Sequence, residues 1–506
     1  MVASIPLTGL AANDPIPGEY AEISFAQGAA SSGTNTYPVL LIGNKTSAGS
    51  ATADTVIYGP DTPVSFTSET DAIALAGTGS ELHKMIRRFL AVNTTSPLYF
   101  IAVSEGGSNT IATGTITVAT NATSGGVLRI YVGDEFVDTG IVSGDTPTTI
   151  ATNAIAQVNA KTHWAATATN SAGVITLTSR QGGLRGNFIR YFAQILPSGI
   201  GTTVTPVAST VFTGGGVSDS NVTALATILA KRFYYIVSAA QDGTQVGALL
   251  SQVNTQALPV NGIRQRVFAG SLDTVSNGNT VAIALNGARA EVIWQVQSDW
   301  SPGEIAANAA AVYSLEEAPL IPRLNFSSYG NDSDTSTHWK VKAPLSGAAP
   351  TRSQILSALN NGLTPIAVNT NGSTYLVKRI TTRSLSGSVV DYRIRDAHKV
   401  TVCDRFTDDL VTKVSLTLRG KLIGNDPVGN APVPGPNVVT PRVLKTSINR
   451  LVRDYGEDDL LQNVATIILQ TQAIRETSPS TRLSARIPLQ PIDILDQIAL
   501  KVDQVG

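Results

Sequence analysis

The chain holds a single cysteine, Cys403, so it has neither an internal disulfide framework nor a paired-thiol metal motif. Cys403 lies in the apolar stretch Val400-Thr401-Val402-Cys403 and reads as a small buried hydrophobe. Only four histidines occur, His83, His163, His338 and His398, and none has metal-ligand spacing; each reads as a packing or surface residue. Charged residues make up 14% of the chain and sum to −1, which removes the basic field that nucleic acid requires and permits dense self-association. No apolar run approaches the ~20 residues of a membrane span. No basic stretch leading into an apolar one marks a secretory leader. Folding in a cytoplasm, without membrane insertion, is the expectation.

Catalytic signatures are missing as well. There is no GxSxG elbow, no P-loop and no HExxH. Gly214-Gly215-Gly216 does not carry a strand into a helix through GxGxxG, and Gly424-Asn425-Asp426-Pro427 has too few carboxylates for a calcium loop. The pairs Asp408-Asp409 and Asp458-Asp459 sit in helix-like, charged surroundings and read as solvated. No catalytic residue, metal or cofactor is expected.

What is present is length and small residues. A chain of 506 residues exceeds a single core and implies several domains. Gly, Ser, Thr and Ala are abundant, which suits β-rich surfaces and turns. Half of the 36 Lys and Arg residues fall after Tyr375, so the last quarter is mildly basic.

Strand and helix signals alternate on both sides of a different middle. Pro38–Gly43 and Leu98–Val103 read as buried strands, with helices at Glu69–Leu75 and Ser80–Val92 between them. From Asn109 to Val211 short alternating runs replace this rhythm, including Thr115–Val118, Val127–Val132 and Val174–Thr178, with one helix at Thr148–Val158. Beyond Gly216 the strands Tyr234–Val237, Arg266–Ala269 and Ala290–Val296 alternate with helices at Val222–Ala230, Gln245–Gln256, Thr280–Leu285 and Pro302–Tyr313. Then come a helix at Thr351–Asn361 and a hairpin about Asn371-Gly372, with Ile366 and Val368 on one arm and Leu376 and Val377 on the other. Helices Val400–Leu418 and Pro441–Tyr455 follow, and Val464–Leu469 is a strand candidate. The helix at 441–455 is basic on one side through Arg442, Lys445, Arg450 and Arg453.

The fold class expected is an α/β core, a mixed and mostly parallel sheet with helices on both faces. To it are added an inserted β-rich domain, an α+β C-terminal domain and extended strand-forming arms. The boundaries are an N-terminal arm at 1–30, a core at 31–106 and 217–343, an insertion at 107–216, a C-terminal domain at 344–485 and an arm at 486–506. Both arms alternate. Tyr20, Ile23 and Phe25 follow Pro15, Pro17 and Gly18, and Ile498, Leu500 and Val502 follow Pro488 and Pro491. A lone strand leaves its N–H and C=O groups unpaired, so each arm pairs with its own core, frays, or completes a sheet in a neighbour.

Over most of its length the chain resembles the tail sheath proteins of contractile-tailed, Mu-like bacteriophages. The resemblance runs through Asn13–Tyr20, Gly79–Met85, Phe212–Gly216, Pro344–Gly347 and Leu363–Ile366; Asp219-Ser220-Asn221 departs from it, where relatives often carry Pro-Asp. It implies a helical stack of rings of identical subunits around a tail tube protein, with baseplate and tail terminator proteins as further partners. It implies that the arms donate strands to neighbours and that the C-terminal region faces the tube while the insertion faces outward. Contraction would then drive the tube through a host envelope. Location in a virion tail assembled in the host cytoplasm follows. On this reading the hairpin of Ile366, Val368, Leu376 and Val377 is the strand acceptor, and Arg442, Lys445, Arg450 and Arg453 face the tube. The leads at Pro15–Gly18 and Pro488–Pro491 are expected to be unpacked hinges.

Two other readings remain open. An α/β enzyme would need a polar cluster at the strand ends after Ile42, Val103 or Val237. A module binding cell-surface sugar would use the aromatics of the insertion, Tyr131, Phe136 and Trp164.

Overall fold

The structure is a computed structural model and describes residues 37–217, 220–228, 231–317, 326–330, 338–429, 432 and 434–494. Tyr20, Ile23, Phe25, Ile498, Leu500 and Val502, together with the lead Pro15–Gly18, lie outside the described residues.

The first stretch contributes β1 (Val39–Asn44), β2 (Ile57–Tyr58), α1 (Glu69–Ala76), α2 (Glu81–Leu90) and β3 (Leu98–Val103). An inserted segment follows, with β4 (Ile111–Ala119), β5 (Gly126–Val132), β6 (Glu135–Ile141), α3 (Pro147–Ala160), β7 (Ala166–Ser171), β8 (Val174–Gly182), β9 (Arg190–Leu196), β10 (Thr203–Thr205) and β11 (Thr210–Val211). The chain then returns through α4 (Val222–Thr227), β12 (Tyr235–Ser238), α5 (Gly243–Gln256), β13 (Arg266–Ser271), α6 (Val275–Leu285), β14 (Ala290–Trp294) and α7 (Pro302–Glu316). Next come α8 (Arg352–Asn360), β15 (Leu363–Val368), β16 (Thr374–Leu376), β17 (Leu385–Ser386) and β18 (Val389–Val390). Last are α9 (Ala397–Leu418), β19 (Leu422–Ile423), β20 (Val438–Val439), α10 (Pro441–Glu457), α11 (Val464–Gln470), β21 (Gln472–Arg475) and β22 (Leu483–Arg486).

One eight-stranded sheet organises the molecule, in the order β16-β15-β14-β13-β12-β1-β3-β2. Its six inner strands are parallel, and β2 and β16 close the edges antiparallel. Parallel strands are apolar on both faces because helices cover both. On one face α2 and α7 bury Leu82, Met85, Ile86, Phe89 and Ile305 against Leu41, Phe100 and Phe268. On the other, Val246, Leu249 and Val253 of α5 pack with Leu40, Ile101 and Ile236. Near α7 the sheet tolerates no side chain on Gly270, where a Cβ would stand 2.1 Å from the Pro302 carbonyl oxygen.

The inserted segment forms two four-stranded antiparallel sheets, β10-β4-β8-β7 and β11-β9-β5-β6. Strict alternation in β4 turns Ala112, Gly114, Ile116 and Val118 inward, which is the period-two pattern its sequence shows. These strands and α3 enclose their own apolar cluster, with Leu128, Ile130, Ile150, Trp164, Ile175 and Phe212. A third cluster joins α9, α10, α11 and the β21–β22 hairpin through Phe406, Ile448, Val452, Tyr455 and Ile467.

Three expectations differ from the structure. Val464–Leu469 is helical, not a strand: Val464, Ile467 and Ile468 stand at helical spacing, with Ile467 buried and Leu469 exposed. A run of six apolar and β-branched residues satisfies both periods, and packing on α10 decides. The hairpin about Gly372 forms as expected, but β15 pairs with β14 and so extends the core sheet. The lead at Pro488–Pro491 is packed: Leu489 joins the C-terminal cluster, and Ile492 donates its N–H to the Leu460 carbonyl at 3.2 Å.

Gly270→Ala is expected to destabilise the protein by about 1–3 kcal/mol through overpacking between β13 and α7, read as a lower urea midpoint at unchanged slope.

Candidate functional site

The N-terminal rim of the parallel sheet carries an arginine at or just before three strands. Arg232 precedes β12, Arg264 and Arg266 open β13, and Arg289 precedes β14. Helix α9 lies across this rim and offers Asp404 and Asp408, one turn apart. Arg289 grips Asp404 with two bonds, at 2.6 and 2.7 Å. Arg264 reaches Asp408 at 2.7 Å and Arg232 pairs with the same carboxylate. Arg266 bonds Thr401 and donates to the Ala397 carbonyl at 3.2 Å. The expectation of a solvated Asp408-Asp409 pair therefore fails. Asp408 is clamped, and Asp409 accepts from the Tyr455 hydroxyl at 2.5 Å.

Behind the rim sits a fully buried ionic group. Arg379 binds Glu291 at 2.9 and 3.0 Å and Glu317 at 3.0 Å, with none of these side chains exposed. Its guanidinium lies 3.9 Å from the centre of the Tyr313 ring. Burial disfavours the Glu317 charge, but Arg379 and Arg266 overcome it and hold the carboxyl below its ordinary range. Sequence reasoning missed this joint. The available signal was an arginine before successive buried strands, matched to acids at helical spacing.

A second charged joint connects the inserted segment to α2 and α7. Arg87 meets Glu135 at 2.9 Å, and Arg88 meets Asp134 at 2.7 Å and Glu304 at 2.9 Å. Arg185 faces Glu81 at 3.4 Å, and the Glu81 N–H donates to Gln181 at 2.6 Å. Glu304 also caps α7 by accepting from the Ser301 N–H at 2.9 Å. Burial alone would raise Glu304, yet Lys84 and Arg88 pull it down to about 2. Glu135 is likewise about 2: burial opposes this, and hydrogen bonds from His163 and Trp164 outweigh it. A cavity of about 70 Å³ lies between these groups. In it burial pushes Asp299 up to about 6.

The helix predicted to be basic is so. Arg442, Arg450 and Arg453 are exposed and Lys445 is half-buried, while Leu444, Ile448, Leu451 and Val452 occupy the opposite face. None of the four basic side chains forms an ion pair among the described residues.

The hairpin expected to accept strands has little free edge. Ile366 and Leu376 are fully buried and Val368 and Val377 half-buried. One side of β15 is taken by β14. Along the outside of β16, Leu376 donates to the Tyr329 carbonyl at 2.8 Å and Ser328 donates to the Val377 carbonyl at 3.0 Å. The β21–β22 hairpin differs. It is a two-stranded sheet packed on α10, with no further strand on either side among the described residues. Sequence reasoning missed it because each strand has only four residues.

Enzyme-like features do not converge. The carboxyl ends of β1 and β3 hold Asn44, bonded to the Ser104 carbonyl at 3.2 Å. No group of three or more His, Cys, Asp or Glu that could hold a metal occurs among the described residues. Nor is any described helix long and apolar enough to cross a membrane. Burial pushes the Cys403 thiol up to about 12. On the insertion, Tyr131 stacks on Phe192 at 4.2 Å and Arg129 covers Phe136 at 4.0 Å, so these ring faces are already used and Trp164 is buried.

No family model matches the chain. The Mu-like prophage FluMu tail sheath protein of Haemophilus influenzae is 25% identical to it over 272 residues, 53% of this chain and 53% of that protein. The chain is a relative of a Mu-like tail sheath protein. The match spans about half the length of this curated relative. Among solved structures, the sheath tail protein Lin1278 of Listeria innocua is similar at 10% identity, covering 92% of this chain and 94% of that one, with a TM-score of 0.48. The helical sheath of the anti-feeding prophage in its contracted state is similar at 10% identity, covering 97% and 99%, with a TM-score of 0.47.

Two outcomes follow from the joints. Arg289→Ala is expected to cost about 3–5 kcal/mol, because it strands a buried carboxylate, whereas Arg393→Ala, which removes an exposed guanidinium from Asp391, costs far less. The second concerns His398, whose ring nitrogen meets the Ile492 carbonyl at 3.2 Å and whose pKa burial lowers to about 4. The folded state then binds fewer protons than the unfolded one between about pH 6.5 and 4. Stability falls as pH drops through that window, by a few kcal/mol in total. His398→Gln should flatten the loss in urea titrations made at stepped pH.

Proposed function

We propose that this chain is the structural subunit of a contractile tail sheath. It polymerises around a tail tube as stacked rings, is linked by donated terminal strands, and contracts to drive the tube through a host envelope. The similarity to the Mu-like sheath protein carries this reading. Baseplate and tail terminator proteins are the expected partners at the two ends, and assembly takes place in the host cytoplasm.

The β21–β22 hairpin supports strand donation better than the hairpin at Ile366–Val377, because both of its outer edges lack a strand among the described residues. A two-stranded hairpin is marginal alone and gains from further strands. Each added ladder bond contributes about 0.5–1.5 kcal/mol net, and several such bonds would hold while subunit bodies rotate. The chain up to Ile494 is tied to Leu460, Gln462 and Lys399, so Pro488–Pro491 is not the point at which a donated arm bends. The basic face of α10 is the surface offered to the tube. The energy of contraction would be stored during assembly in a kinetically trapped extended array, so no nucleotide is needed.

Negative-stain electron microscopy of the purified chain, alone and with its tube protein, tests the reading. Tubes of regular width support it; globular particles in both preparations sink it. Ile23→Asp, or deletion of residues 495–506, should abolish long assemblies and leave a folded monomer. Reversing Arg450 and Arg453 to Glu should impair assembly on the tube more than self-assembly, and equal loss of both would remove the tube-facing role.

A further inference from the structure

Asp299 stands where three parts of the chain meet. It belongs to the core, two residues before Ser301, the cap of α7. The turn between β5 and β6 of the insertion comes so near that a Cβ on Gly133 would stand 3.2 Å from the Asp299 carbonyl oxygen. The segment that leads from the core toward α8 is held at the same place. Leu345 donates its N–H to Oδ2 of Asp299 at 2.6 Å, and Lys342 pairs with Asp134 of the β5–β6 turn at 2.9 Å.

The other oxygen of this carboxyl lacks a partner. Oδ1 is buried beside the cavity between insertion and core and accepts no hydrogen bond. A buried carboxylate oxygen left unsatisfied is costly, more so than a neutral group. The N-terminus of α7 does not serve it, because Ser301 and Glu304 close that capping box between themselves. The cations of the cavity are engaged elsewhere. On α2, Lys84 and Arg88 bind Glu304, Arg88 also binds Asp134, and Arg87 binds Glu135. Arg185 faces Glu81. On β9, Arg190 bonds the Ser209 hydroxyl at 2.9 Å. Arg190 and Lys342 attract the Asp299 charge and Asp134 repels it, yet neither cation forms an ion pair with it among the described residues. The other titratable ring in the cavity, His163, is held by Glu135 at 2.6 Å.

We propose that Asp299 is a proton-operated latch: uptake of one proton in mild acid tightens the hold of the core on the insertion and on the 342–345 segment. The neutral carboxyl removes the charge stranded at Oδ1 and the repulsion from Asp134. It gains an O–H that can donate toward the Asp134 carboxylate, while Oδ2 still accepts from Leu345. Burial pushes this carboxyl up to about 6 from an ordinary 3.8. Between those two values the folded state binds more protons than the unfolded one. The hold is therefore strongest in acid and is lost as pH rises through about 6, opposite in sign to the effect at His398.

The test reads the Glu81 amide, whose N–H crosses from α2 to Gln181 of the insertion at 2.6 Å and exchanges with deuterium only when the joint opens. Full-length wild-type and Asp299→Asn chains are compared at pH 7.5 and at pH 5.0, each pair at one pH so that intrinsic exchange chemistry cancels. Asn keeps an acceptor for Leu345 and carries no charge. At pH 7.5 this amide is expected to exchange about fivefold or more slowly in the variant, and at pH 5.0 the two chains are expected to agree within about twofold. The same ratio at both pH values, or faster exchange in the variant at pH 7.5, overturns the proposal. Should the variant not fold, the wild type alone decides. Its Glu81 protection factor, corrected for intrinsic rate, must rise about fivefold or more from pH 7.5 to 5.0, and a flat or falling value overturns the latch.

Discussion

The arginines at the rim of the sheet fix where everything C-terminal to the core can lie. Helix α9 docks through Asp404 and Asp408 onto Arg289, Arg264 and Arg232, and the clamp is backed by Arg379 between Glu291 and Glu317 at zero exposure. Buried ions of this kind add little net stability over an apolar packing, yet removing one partner is costly. Their effect is to hold one geometry. With α9 fixed, α10 packs on it through Phe406 and Tyr455, and the β21–β22 hairpin rests on α10. The basic face and the open edges are thus carried as one piece with the core sheet.

The inserted segment is attached by different means. Its apolar cluster includes no residue of the core clusters, and α2 meets it with Arg87 and Arg88, which are partly exposed. Glu135 and Glu304 stay charged down to about pH 2, so acid within the ordinary range does not dissolve the joint. Proton-dependent weakening belongs instead to His398, where the C-terminal lead meets α9. The clamp at Arg379 is closed to solvent, whereas the joint to the insertion keeps Arg87 and Glu135 partly exposed at its rim.

The sequence showed the sheet strands well, because the parallel strands are short, largely apolar runs between turn residues. Its helices carry side-chain caps: Ser80, Ser301 and Thr351 each accept from the backbone N–H three residues on. Val464–Leu469 was misread as a strand because a run of six apolar and β-branched residues cannot separate a strand from a short helix. The joints were illegible for another reason. Arg379, Glu291 and Glu317 are distant in sequence, and a charged residue inside an apolar stretch predicts a partner without naming it. The hairpin edges escaped notice because four-residue strands carry almost no periodic signal. The arms, in contrast, were legible only as sequence.

Hydrogen–deuterium exchange of the full chain, resolved to the outward amides of Ala473, Arg475, Leu483 and Ala485, tests the central claim that copies join at this hairpin. The account predicts rapid exchange at all four in the monomer and strong protection in assembled material. Assemblies in which these amides exchange as fast as in the monomer would contradict it.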